Sequence, residues 1–262
     1  MKNKLAIGLL HLLFAFCGLN AQNNVWKNKQ AAVALTYDDA LNIHLDKVIP
    51  QLDSFGFKGT FYIIGSSPAF TNRLNDWRKA ASRGHELGNH TLFHPCAGNK
   101  PGRQWVKPDQ DLTKYTVQRA ANEVMMNNAL LEAVDGKKKR SMACPCGESS
   151  IGDSSFLFKA KEFFVATRDG TPDAVQVNAF KANKVEWIGA DAQSESQLVA
   201  AMKKAVEDNA LLVIVFHGVG GEHPINISLE AHRELLRYIK QNESKIWVAP
   251  FVEVAEFLQR KN

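Results

Sequence analysis

Nothing in this chain repeats, and it has no low-complexity tract and no stretch that reads as a linker, so a repeat array or a chain of small domains is excluded. It also lacks a strong charge of either sign, the formal net charge of its 262 residues being +5. The one basic cluster, Lys137-Lys138-Lys139-Arg140, follows Asp135-Gly136 and reads as a solvated loop, so no nucleic-acid partner is expected. No apolar run is long enough to cross a bilayer. What is present is ample core material: hydrophobic residues make up 45%, which excludes wholesale disorder.

The first residues read as a secretory signal: Lys2 and Lys4, then apolar Leu5–Phe16, then a cleavage site at Leu19-Asn20-Ala21. A lipid anchor at Cys17 competes, but bulky Phe16 stands where such sites want a small residue. Residues 1–21 are therefore expected to be removed, leaving 22–262 as one domain, secreted or periplasmic, with no stable membrane anchor. Cleavage takes away two lysines and no acid, so the charge of +5 becomes +3. Cys96, Cys144 and Cys146 remain, and an oxidising compartment predicts one disulfide and one leftover thiol.

Strand-like and helix-like patterns alternate along the chain. Strands are predicted at Ala31–Asp38, Thr60–Ile64, Glu86–Asn89, Ser141–Cys144, Phe163–Thr167, Val185–Ile188, Ala210–Phe216 and Lys245–Ala249. Helices are predicted at His44–Phe55, Asn75–Ser82, Thr113–Val134, Ser154–Glu162, Glu195–Asp208, Leu229–Gln241 and Phe251–Gln259. Pro95–Asp111 has no periodicity and is long for a connection, which marks a functional loop. This alternation predicts an α/β fold with a parallel sheet wrapped by helices, and the length suits one (β/α) barrel of roughly 250 residues.

Four pieces fall where predicted strands end: Asp38-Asp39, His90-Thr91-Leu92-Phe93-His94, Pro145-Cys146-Gly147 and Phe216-His217. Barrel chemistry sits at such ends. A carboxylate and two imidazoles four apart can hold a zinc-like ion with a position left open for water, and one helical turn would bring His90 and His94 to one face. Each piece alone has an ordinary reading, Asp38-Asp39 as a helix cap and the histidines as satisfied polar groups. His223 reads as a loop residue near the mouth rather than a ligand.

Together and in this order, the pieces resemble the polysaccharide deacetylases, the NodB-homology or carbohydrate esterase family 4 enzymes. Thr36-Tyr37-Asp38-Asp39 is similar to that family's T-F-D-D, His90 to His94 to its H-[S/T]-x-x-H, and Phe216-His217 to its last motif. Lys58-Gly59-Thr60-Phe61-Tyr62 and Ile246-Trp247-Val248 are lesser echoes, and the likeness runs from Ala31 to Leu258. The resemblance implies a distorted, seven-stranded NodB-like barrel. It implies Zn2+ or another divalent transition metal on Asp39, His90 and His94, with Asp38 as base, His217 as acid and the Cys146 backbone N–H holding the oxyanion. The activity implied is hydrolysis of N- or O-acetyl groups on an exported carbohydrate, with Trp77 and Trp105 as candidates for sugar stacking. Hydrolysis of another C–N bond in a small molecule, or silent carbohydrate binding, are the competing readings.

Two motifs depart from the family pattern. The third usually reads R-P-P-Y-G, and here it is Ala143-Cys144-Pro145-Cys146-Gly147, so the arginine that steadies the base is missing. The fourth, an acid and a Trp near the acid histidine, is poorly matched by Trp187 to Asp191. Arg168 ends the strand after the third motif and is a candidate replacement; the competing reading pairs it with Asp169 at the surface. With the third-motif turn beside the metal histidines, Cys96 and Cys146 are expected to be bonded and Cys144 to be a buried thiol.

Overall fold

A computed structural model describes residues 26–157, 163–168, 175–177 and 185–260. The expected signal segment, residues 1–21, lies outside them. The strands of the main sheet are β1 (Ala31–Tyr37), β2 (Thr60–Ile63), β3 (Glu86–Asn89), β4 (Arg140–Ala143), β5 (Phe164–Arg168), β6 (Val175–Val177), β7 (Val185–Gly189), β8 (Leu211–Phe216) and β9 (Ile246–Val248). Seven parallel strands run in the order β5-β4-β3-β2-β1-β8-β7. The short β9 pairs with the start of β1, and β6 lies antiparallel on the β5 edge. The sheet curls into the distorted NodB-like barrel that the sequence predicts. Helices α1 (Ile49–Phe55), α2 (Pro68–Thr71), α3 (Leu74–Ser82), α4 (Val117–Asp135), α5 (Glu195–Glu207), α6 (Leu229–Gln241) and α7 (Phe251–Gln259) complete it.

Strand alternation sorts the core into two faces. On β1, Ala31, Val33, Leu35 and Tyr37 pack outward with Leu52, Trp77, Leu198 and Leu235 of the helices. Ala32 and Ala34 face inward with Leu211, Val213, Tyr62 and Ala143, above Phe251 and Val254 of α7. Each fully buried large apolar side chain contributes about 1.5–3 kcal/mol. Small residues line the concave side because a curled sheet leaves little room there: a Cβ on Gly88 would lie 2.5 Å from the Tyr62 ring. The same period of two carries Asp38, His90, Arg168 and His217 onto the inward phase, and this is how the fold collects a site from separate strands.

The expected helix at Ser154–Glu162 is corrected. Ser154–Ser155 pairs antiparallel with Ser150–Ile151 across a turn where Gly152 has φ 56°. Phe156 and Leu157 then enter a cluster with Leu112 and Phe164, so they are apolar for packing rather than for a helix face. Residues 158–162 lie outside the described ones. The antiparallel β6 was not foreseen, three residues being too short to carry a periodic signal.

Candidate active site

The β1 ladder continues one residue past the strand, Asp38 N–H donating to Phe216 O at 2.9 Å. The chain then turns left-handed, φ being 79° at Asp39 and 54° at Ala40. Such strain clusters at functional sites. It presents two adjacent carboxylates to different partners. Asp38 is 4% exposed and accepts from one Arg168 nitrogen, Nη2, 2.6 Å from both its oxygens. Arg168 is itself buried, its guanidinium 5.1 Å from the Tyr62 ring, so it faces inward and not the surface. Burial alone would raise the Asp38 pKa; the Arg168 charge, helped by His90 and His217, outweighs it and holds the carboxyl below its usual value.

Asp39 faces imidazoles. His90 Nε2 lies 3.4 Å and His94 Nε2 3.5 Å from its Oδ1. The pair does not ride a helical turn as expected: Thr91 and His94 have φ 64° and 54°, and the segment is a tight loop. Thr91 Oγ1 accepts the His94 N–H at 3.0 Å, and Asn89 Oδ1 accepts the Thr91 N–H at 2.7 Å. Asn127 and Asn128 of α4 hold Asn89 in turn, which explains polar residues on that helix's inner stripe. His90 Nδ1–H donates to Ala143 O at 2.8 Å, which turns Nε2 toward Asp39.

These three side chains fit a divalent metal. Asp39 Oδ1 is a buried acceptor with no hydrogen-bond partner, and the three donor atoms lie within 4.8 Å of one another. A tetrahedral ion with ~2.1 Å bonds separates its ligands by ~3.4 Å, the spacing seen from Asp39 Oδ1 to each imidazole. One hard and two borderline donors suit a zinc-like ion.

Cys96 and Cys146 are disulfide-bonded, joining the loop after His94 to the Pro145–Gly147 turn, while Cys144 is buried and outside the bond. Cys146 has φ 55°, so its backbone bends at the cavity wall. His217 enters from the end of β8, its Nε2 4.0 Å from Asp38 Oδ2. Burial lowers the His217 pKa, and the two aspartates only partly oppose this. His217 Nδ1 is buried with no partner among the described residues, so no carboxylate holds the ring there, in keeping with the weak fourth motif. Trp187 and Asp191 of that motif do line the cavity, which measures about 550 Å³. Trp105 stands at its mouth, 58% exposed. Trp77 is fully buried in the core and donates to Ala69 O, which removes it as a sugar-stacking candidate.

Three residues stitch the loops together: His44 and Glu222, which sequence reasoning missed, and His223, which it placed near the mouth. Buried His44 accepts the Leu41 N–H at Nδ1 (3.2 Å) and so donates Nε2–H to His217 O at 2.8 Å. Glu222 accepts the backbone N–H groups of Asn42 and Ile43 at 3.1 and 2.6 Å. His223 reaches back to Asp39, its Nε2 3.5 Å from Oδ2. A lone histidine or glutamate in a loop gives no spacing signal, so only the folded geometry could find these contacts.

The family model for polysaccharide deacetylases matches residues 26–162. The chain belongs to the polysaccharide deacetylase family. It is 26% identical over 223 residues to a peptidoglycan-N-acetylglucosamine deacetylase of Bacillus cereus, covering 84% of this chain and 68% of that one. A gellan lyase of a Bacillus species is 23% identical over 93% of this chain, a match that takes in 10% of the lyase. Among solved structures, a Mycobacterium smegmatis protein assigned to the polysaccharide deacetylases superposes with TM-score 0.61 at 16% identity, over 89% of this chain and 91% of that one. A family 4 carbohydrate esterase pseudoenzyme from Bacillus anthracis superposes with TM-score 0.54 at 18% identity, over 87% and 66%. Likeness at this identity concerns the fold.

Proposed function

We propose that this polysaccharide deacetylase family member is an exported, metal-dependent hydrolase that removes N- or O-acetyl groups from a polysaccharide or oligosaccharide. The observation that carries the reading is the division of labour between adjacent carboxylates, Asp38 on a buried arginine and Asp39 on two imidazole nitrogens. Asp39, His90 and His94 hold the divalent ion. Bound there, it supplies Lewis-acid polarisation of the acetyl carbonyl and of a water. Asp38 takes the water's proton at a carboxylate oxygen, and Arg168 keeps that oxygen ionised beforehand. The Cys146 backbone N–H donates to the oxygen that becomes negative. His217 delivers a proton from Nε2 to the departing sugar nitrogen or oxygen. Trp105 offers a ring face at the mouth for a sugar.

Export rests on the expected signal in residues 1–21; no helix among the described residues is long and apolar enough to cross a membrane. Acetate release from acetylated xylan, chitin oligomers and peptidoglycan tests the reading. Metal-loaded protein should release acetate from at least one of them, and the Asp38→Asn variant should release none while still binding metal. A metal-loaded protein silent on every substrate but retaining oligosaccharides would favour the binding-protein reading.

A further inference from the structure

We propose that His223 is a positioning residue for the metal site, donating to Asp39 Oδ2 so that Oδ1 is turned toward the ion; the role rests on Asp39 being a ligand. The argument starts from the tautomer. His223 Nδ1 lies 3.0 Å from the Ile225 backbone N–H and 3.2 Å from Ile225 O; with the shorter contact made, Nδ1 accepts and the ring proton sits on Nε2. That nitrogen lies 3.5 Å from Asp39 Oδ2, on the opposite oxygen from His90 and His94. Nε2 therefore faces the carboxylate as a donor, without a free lone pair for an ion. No group of mutually close donors among the described residues includes His223, so it stands apart from the three-residue set. A fourth protein ligand would also fill the position that a hydrolytic ion keeps open for water.

The loop around His223 is built to hold this pose. Gly218–Val219 pairs in parallel with Asn226–Ile227, and Asn226 Oδ1 accepts the Gly221 N–H at 2.9 Å. Glu222, next to His223, is tied to Asn42 and Ile43 just beyond Asp39, so the two loops are joined. The His223 ring also lies flat on His217, centroids 4.8 Å apart and planes at 17°. One side chain thus touches both the metal carboxylate and the acid. Partners that fix a ligand's orientation commonly cost 10–100-fold in metal affinity when removed.

The test is zinc affinity of the metal-stripped full chain, measured against a competing chromophoric chelator, with the visible spectrum of the cobalt form as a second readout. His223→Ala should weaken zinc binding about 10–100-fold. His223→Gln, which keeps an N–H donor on a similar reach, should recover part of the loss. The cobalt spectrum of both variants should match wild type, the inner ligands being unchanged. Wild-type affinity in His223→Ala would overturn the role while leaving the ligand set intact. A changed cobalt spectrum would overturn it in favour of direct ligation. A wild-type chain that binds no zinc would overturn the ligand reading itself and this role with it.

Discussion

At the scale of single residues, the proposed base, Asp38, is held by Arg168. The family's third-motif position is Ala143, and the replacement arrives one strand further along. Replacing Arg168 by Ala leaves Asp38 with its burial and without the charge that overrides it, so the Asp38 pKa moves up. The acidic limb of the pH–rate profile should therefore shift upward and kcat should fall by ~10²-fold or more. Breaking the buried pair should also destabilise the fold by about 3–5 kcal/mol, so activity is compared at temperatures where the variant is folded. An unshifted limb with unchanged kcat would detach Arg168 from the base. His217→Ala should lose ~10²–10⁴ in turnover with metal content unchanged. Wild-type turnover in that variant would take His217 out of the chemistry.

At the scale of elements, the loop from Pro95 to Asp111 and the turn at Pro145–Gly147 are held by a covalent bond where the family motif carries an aromatic. The Cys96–Cys146 link closes a 50-residue separation. On the chain-entropy view, closing a loop of that size stabilises by about 4 kcal/mol. The Cys96→Ser, Cys146→Ser double variant should unfold at lower denaturant by that order. It should also show weaker turnover, because His94 and the Cys146 N–H flank the bond. Equal stability and turnover would make the bond incidental. Elements were legible in the sequence where one period ran long enough, as in α6 and β8. They were misread where apolar residues served a local cluster, as at Phe156 and Leu157, and where left-handed residues replaced a helical turn, as at Thr91 and His94. The residues proposed as ligands, base and acid were legible as a set because they follow strand ends on the inward phase, and the fold brings them to one cavity. His44 and Glu222 were not, because their contacts join loops far apart in sequence; His223 was placed near the mouth, but its approach to Asp39 was not foreseen for the same reason.

At the scale of the whole molecule, the barrel buries neutral histidines outside the proposed ligand and acid–base set. Burial lowers the pKa of His44 and His85 to about 4 and of His232 to about 3. Unfolded histidine titrates near ~6.5, so below that pH the unfolded chain binds protons that the native one refuses. The stability these groups contribute is complete above ~6.5 and is lost as pH falls toward 4, by up to about 1.4 kcal/mol per pH unit for each. The denaturation midpoint should therefore drop between pH 7 and pH 5, and a flat profile would contradict the buried neutral state. The central claim joins this scaffold to a metal-dependent hydrolysis. Its most direct test is acetate release measured on one preparation as purified, after chelation, and after zinc is restored, alongside elemental analysis. The account predicts about one ion per chain, release abolished by chelation and recovered with zinc, and neither ion nor release in His90→Ala. Undiminished release from the metal-free chain would contradict it.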